Sequence, residues 1–475
     1  MSSPLMMSEK TFDGFPINNI ERFPHAVDPF ASPAPSIAAS GFHSRPVSQA
    51  PSQAGSLFPR KNRRVFKSTR VDPDELKQRE PWYKTPVGRS TLRRTRWTCV
   101  GVSMLGVAAS AALLVMTWLH IPKEKYCLVL EENFDGDSLN TDIWHHEVEL
   151  GGFGNGEFEM TTTDNANSFV ENGKLYIVPT LSNDTYGNDA ILNGYTLNFT
   201  ADGTCTSDKV SNCVITSNST YGNISTLPPI RSARLTTKLS HSITYGRVEV
   251  VAKMPTGDWI WPAIWMLPTD NVYGEWPASG EIDIIETSGN MPTSMTEQAV
   301  NVVKTAIHWG LDYTTDMYRK TRGTYTMKQK YTNERFVTYG MDWSSKGIDL
   351  WTSLRSRVSL SVKFDKPFWN RGGFSGMTVN GSSAVNPWAS SPNKAAPFDQ
   401  DFYLILSVAV GGTNGFLTDL SNQVYAINSP TASRDFWNAR SRWLPSWPSD
   451  PKERGMAVES VKIWRLAEKG ETCAA

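Results

Sequence analysis

Residues 280–287 read GEIDIIET, placing Glu281, Asp283 and Glu286 within six residues of a strongly β-prone run. Side chains alternate faces along a strand, so Glu281 and Asp283 share one face. Glu286 lies five residues beyond Glu281 and on a regular strand points the other way. One extra residue at Ile284–Ile285, a β-bulge, returns it to the face of the other two, and bulges gather beside active sites. Three clustered acids repel one another, and burying them is costly. A pair of carboxyl groups flanking one bond suits glycoside hydrolysis, in which one attacks the anomeric carbon and the other protonates the leaving oxygen. Asp283 between them would hold their proton affinities apart.

Just upstream, GDWIWPAIWMLP (257–268) carries Trp259, Trp261 and Trp265. Trp261 and Trp265 share parity and are expected to line one face. Flat aromatic rings stack on the apolar faces of sugars. Further short alternating or β-branched runs are GKLYIVPT (173–180), GRVEVVAKMP (246–255), FVTYGMDW (336–343), FYLILSVAV (402–410) and VESVKIW (458–464), separated by Gly, Asn, Asp, Ser and Pro. Long helical periods are scarce after residue 120. The pattern predicts an all-β domain over residues 120–475, a β-sandwich of jelly-roll type.

The chain has 475 residues and zero formal net charge, which gives no basic field for nucleic acid. The zero is a cancellation: residues 1–96 hold sixteen basic and eight acidic side chains, and fourteen of the seventeen Trp follow residue 120. Residues 1–60 are rich in Ser, Pro and Ala, which predicts disorder, and residues 61–96 are basic. Residues 97–119, WTCVGVSMLGVAASAALLVMTWL, run uncharged for 23 residues, enough to cross a bilayer as a helix. Seven Lys and Arg precede the span within twenty residues, and only Lys123 and Lys125 follow it. The positive-inside rule places residues 1–96 in the cytoplasm and 120–475 in the lumen or outside, as a single-pass type II protein of the secretory pathway or cell surface.

Two further features agree with that topology. Acceptor motifs for N-glycosylation occur at Asn183, Asn198, Asn218, Asn223 and Asn380, all after the span. Four of the five Cys follow it too, and an even count on an oxidising side predicts two disulfides. Cys205–Cys213 is expected as a local staple and Cys127–Cys473 as a clasp joining the domain ends, leaving Cys99 unpaired in the membrane segment.

In this setting GEIDIIE resembles the active-site strand of glycoside hydrolase family 16, in the Glu-X-Asp-X-X-Glu form of its laminarinase-like members. The resemblance covers most of residues 127–468. EENFDG (131–136), Trp144, GGFGNGEFEMTT (151–162), VENGKLYI (170–177), RSARLTTK (231–238), AIHWG (306–310) and FYLILSVAVGGTNGF (402–416) follow in the family's order. VAVGGTNG and WNARSRWLPSW (437–447) are similar to β-1,3-glucan-binding relatives. The resemblance implies a concanavalin-like jelly roll with Glu281 as nucleophile, Glu286 as general acid/base and Asp283 as auxiliary acid. It implies His308 beside the catalytic strand, Trp261, Trp265, Trp309 and Trp343 as sugar platforms, and Arg234 as a polar subsite contact. The implied substrate is β-glucan, and hydrolysis and glycosyl transfer share the same glycosyl-enzyme. Loss of the catalytic Glu residues marks binding-only members; here both are present, and a non-catalytic glucan-binding or wall-assembly protein is the alternative. Glu132 and Glu459 make no convincing ligand set, so no metal, cofactor or obligate protein partner is expected; membrane lipid would be met through residues 97–119.

Overall fold

The computed structural model describes residues 72–120, 124–220, 225–292, 298–379, 381–417 and 423–473. The expected disorder of residues 1–60 and the acceptors Asn223 and Asn380 lie outside them. The chain divides into two compact units, Met1–Ser110 and Ala111–Ala475.

In the first unit, a short helix Pro73–Gln78 is capped by Asp72, whose carboxylate accepts from the Asp74 N–H. A longer helix, Pro86–His120, follows in sequence and runs across the boundary at Ser110. Its portion Pro86–Leu119 is long and apolar enough to cross a membrane, and its most apolar stretch is unburied. At 1.5 Å per residue the 23 uncharged residues span about 35 Å, against about 30 Å of hydrocarbon. Cys99 on this helix is a free, exposed thiol.

The second unit is a β-sandwich built from two eight-stranded antiparallel sheets. One sheet runs Val358–Lys363, Gly347–Thr352, Val337–Ser344, Gly246–Lys253, Met456–Leu466, Leu175–Ile177, Ser168–Val170, with Tyr126–Glu132 also paired to Met456–Leu466. The other runs Arg322–Thr326, Val302–His308, Glu281–Glu286, Ile260–Pro268, Phe402–Val410, Arg234–Thr236, His145–His146, with Ser242–Ile243 also on Phe402–Val410. Between them lies one apolar core that takes Val248, Val250, Met341, Ile348 and Leu350 from the first sheet and Ile264, Ile282, Ile284, Leu404 and Leu406 from the second. Burying each such side chain contributes about 1.5–3 kcal/mol.

The apolar runs read from sequence become strands. FYLILSVAV forms the nine-residue Phe402–Val410 near the middle of its sheet, buried except at Ser407. GKLYIVPT yields Leu175–Ile177, which begins after a turn where Asn172 and Gly173 take positive φ angles of 53° and 67°, and its Thr180 opens the separate strand Thr180–Leu181. Cys127 is bonded to Cys473 across 346 residues, with Cα atoms 5.1 Å apart, and Cys205 to Cys213 across 8, with Cα atoms 5.7 Å apart. Asn183, Asn198 and Asn218 are all half-buried near the surface.

Candidate active site

The carboxylate strand Glu281–Glu286 carries the expected bulge. Against Val302–His308, Glu281 pairs with His308, Asp283 with Ala306 and Glu286 with Lys304, so three steps on one strand match two on its neighbour. On the other side Trp265 pairs with Asp283 and Ile264 with Ile285, which leaves Ile284 as the extra residue. The physical cause is visible in the burial. Ile282, Ile284 and Ile285 are all fully buried in the core, and only an inserted residue lets two consecutive isoleucines point inward while Glu286 stays out. Glu281, Asp283 and Glu286 thus share the face turned away from the core.

Two of the acids accept an indole N–H, and the third lies beside an imidazole. The Trp276 indole N–H donates to Glu281 Oε2 at 2.8 Å. The Trp261 indole N–H donates to Glu286 Oε1 at 3.1 Å. His308 Nε2 lies 3.1 Å from Asp283 Oδ2 and 3.8 Å from Glu281 Oε1. Desolvation and the neighbouring Asp283 raise Glu281 well above the usual carboxylate range. The same two causes push Glu286 up to about 8, opposed by His308, the Trp261 N–H and Lys304. Burial pulls His308 down, but Glu281 and Asp283 outweigh it and raise the imidazole well above its ordinary value. A strand that groups acids, buries them and places one cation beside them can hold a proton on one carboxyl and a charge on another at neutral pH.

Among the aromatics, the structure divides those that sequence grouped together. Trp261 stacks on Phe416 with centroids 5.6 Å apart. Half-buried Trp265 donates to Ser407 Oγ and lies under the Arg234 guanidinium, whose Cζ is 4.6 Å from its ring centroid. Arg234 is itself ion-paired with Glu147 and sits 4.1 Å from the Phe153 ring, so it is clamped on this face. Two expected platforms are core residues instead. Trp309 is fully buried; it packs on Phe368 and Phe374 and donates to Thr321 Oγ1. Trp343 is likewise fully buried, edge-on to Tyr245 and Phe402. Both follow strand alternation, one position away from an outward residue, and neither can meet a sugar. Trp259, of the same parity as Trp261, is also fully buried, because its φ of 69° turns the chain before the strand begins.

Sequence reading missed Trp276, Asp316 and Tyr318. Asp316 Oδ2 is 2.6 Å from His308 Nδ1, and the Tyr318 ring stacks on the imidazole at 4.9 Å. They come from loops, where no periodicity marks a residue. Also unread were two carboxyls at the Val410 end of Phe402–Val410: buried Glu159 accepts the Val410 N–H at 2.8 Å, and half-buried Glu157 accepts from Asn155 Nδ2 at 3.1 Å. Desolvation raises both acids. Donor atoms of Glu281, Asp283 and His308 fall within 4.8 Å of one another, close enough to share a cation. No metal role is assigned to this group.

The model of "Glycosyl hydrolases family 16" matches residues 193–352. A "Beta-1,3-glucan-binding protein" of Penaeus monodon is 39% identical over 350 residues, spanning 72% of this chain and 90% of that protein. "Glucan endo-1,3-beta-glucosidase A1" of Niallia circulans is 29% identical over 293 residues, spanning 60% of this chain and 34% of that protein. Among solved structures, the laminarinase from Rhodothermus marinus is 24% identical, with a TM-score of 0.44, covering 73% of this chain and 100% of that one. Relatives thus carry names of both binding proteins and enzymes. By the family model and by the relative from Penaeus monodon, of which it spans 90%, the chain belongs to glycosyl hydrolases family 16.

Proposed function

We propose that this protein is a membrane-anchored, retaining β-1,3-glucan hydrolase or transglycosylase of the endo-1,3(4)-β-glucanase type, working on cell-wall glucan outside the cytoplasm. The observation that carries the reading is the bulge at Ile284, which brings Glu281, Asp283 and Glu286 to one face. Glu281 is the nucleophile. Its attack requires the anion, which burial and Asp283 oppose and which the neighbouring His308 and the Trp276 N–H favour. Glu286, with its proton affinity raised to about 8, is protonated at neutral pH and donates to the leaving oxygen. It then takes a proton from water or from a sugar hydroxyl, and the choice of acceptor decides between hydrolysis and transfer. Asp283 between them shares its charge with His308. Trp261 and Trp265, with Arg234, border the sugar.

The helix Pro86–Leu119 supports a single transmembrane anchor, with residues 1–96 cytoplasmic and 120–475 lumenal or extracellular. The disulfides fit that oxidising side. Peptide-N-glycosidase treatment of protein made in a eukaryotic host is then expected to increase gel mobility, and unchanged mobility counts against the lumenal placement.

The decisive assay incubates full-length protein in detergent with laminarin and analyses reducing ends and transfer products. Turnover that disappears in Glu281→Gln is expected; equal turnover in both overturns the assignment. A second reading, a non-catalytic glucan-binding or wall-assembly protein, is favoured by the name of the shrimp relative. It predicts laminarin binding without products for any acceptor.

A further inference from the structure

His308 faces three acids at close range and a fourth further off. Glu281 and Asp283 lie on the Nε2 side, at 3.8 and 3.1 Å, and Asp316 lies on the Nδ1 side at 2.6 Å. Glu286 acts on it through space, and the rings of Tyr318 and Trp276 cover it at 4.9 and 5.7 Å. Asp316 comes from none of the sheet strands. It sits in the segment after His308, which doubles back on the strand end: Met317 N–H donates to the Trp309 carbonyl at 2.8 Å. Gly310 permits that approach, since a Cβ there would stand 2.6 Å from the Thr315 carbonyl oxygen. Asp312 closes a capping box over Tyr313–Thr315 and stiffens the turn.

The two Asp316 oxygens are divided between tasks. Oδ1 accepts the backbone N–H groups of Tyr318 at 3.1 Å and Trp309 at 3.4 Å. That leaves Oδ2 for His308 Nδ1, and an acceptor there requires a proton on Nδ1. We propose that Asp316 is a positioning residue that fixes the His308 ring and holds it as a doubly protonated imidazolium, whose Nε2 side faces Asp283 and Glu281. The imidazolium compensates the carboxylate strand, so Glu281 reaches its anionic form at a lower pH than burial alone would allow. The kinetic consequence rests on the glycosidase reading; the protonation state of His308 does not.

Asp316→Asn discriminates by its own chemistry. The amide oxygen takes the two backbone N–H groups, which turns the NH2 toward Nδ1, where it can only donate. The imidazole must then give up its Nδ1 proton. Full-length protein in detergent, carrying 15N-labelled histidine, is titrated by NMR, with His308 assigned among the seven histidines through His308→Gln. Wild-type His308 is expected to keep both protons past pH 7, Asp316→Asn to lose one with proton affinity reduced at least about tenfold, and Asp316→Glu, which keeps the charge, to retain it. A wild-type His308 already neutral at pH 6, or equal titration in all three, overturns the proposal. On laminarin, the acid limb of kcat/KM is expected to move to higher pH in Asp316→Asn. A fall in rate that is uniform across pH overturns the positioning role. A wild type without any turnover sinks the glycosidase reading instead and leaves the NMR result to decide Asp316.

Discussion

Two strands of the sandwich handle charge in opposite ways. Gly246–Lys253 alternates strictly between buried and half-buried residues. Its outward charges have partners near water: Arg247 pairs with Asp342 at 2.8 Å, Arg355 joins the same carboxylate at 3.0 Å, and Lys253 meets Glu453 at 2.9 Å. The carboxylate strand breaks its alternation with Ile284 and gathers three acids around one imidazole. Charges of both signs at a surface cost little. A local excess of one sign, partly buried, costs stability and shifts protonation, and folds keep such places where chemistry needs them.

That contrast breaks most completely if the bulge is removed. Deleting Ile284 restores strict alternation with all three acids still on one face, but it takes a fully buried side chain from the core and shortens the step from Asp283 to Glu286; glucan turnover is expected to drop and Tm to fall by about 10 °C or more, read by assay and thermal melting. Glu281→Gln keeps the backbone and removes only the proposed nucleophile, so turnover is expected to fall by about three orders of magnitude or more while the melting transition persists.

The aromatics sharpen the same division. Trp343→Ala is expected to cost about 3–5 kcal/mol in denaturant unfolding, because a fully buried indole is lost from between Tyr245 and Phe402. Trp276→Ala should cost about 1 kcal/mol or less, since its ring is 41% exposed, yet lower turnover about tenfold by removing the N–H on Glu281. If both variants lost stability equally, the assignment of one to the core and one to the site would fail.

Glu286 gives a test with a definite sign. Its proton affinity is raised in the folded protein from 4.5 to about 8, so the folded state holds a proton that the unfolded state releases. Stability from this group is fully present below about pH 4.5 and is lost as pH rises toward 8. Glu286→Gln should therefore raise Tm by a few degrees at pH 8, with the gain fading toward pH 4.5. The smallest effect is expected on the paired strand, where Asp342→Asn costs about 1 kcal/mol and less at high salt, read by urea unfolding.

Much of this was legible in the residues. Parity along GEIDIIET required a bulge, because two adjacent isoleucines and three acids cannot otherwise separate onto two faces. Short β-branched runs announced the sandwich, and the uncharged 97–119 stretch announced a membrane-length helix. What parity could not reveal was the depth of each tryptophan. Trp309 and Trp343 sit beside outward positions in sequence but belong to the core, and Trp259 shares the parity of Trp261 only until its backbone turns. Asp316, Tyr318 and Trp276 reach the site from loops, where contact is set by tertiary path and not by period.

The bond between Cys127 and Cys473 makes a ring of nearly the whole β unit. A protease that nicks any exposed loop between those residues therefore leaves a single covalent molecule, whose pieces stay together on a denaturing gel until a reductant is added. Separating this body from the helix Pro86–His120 consequently demands a cut before Cys127; damage elsewhere on its surface is held in place.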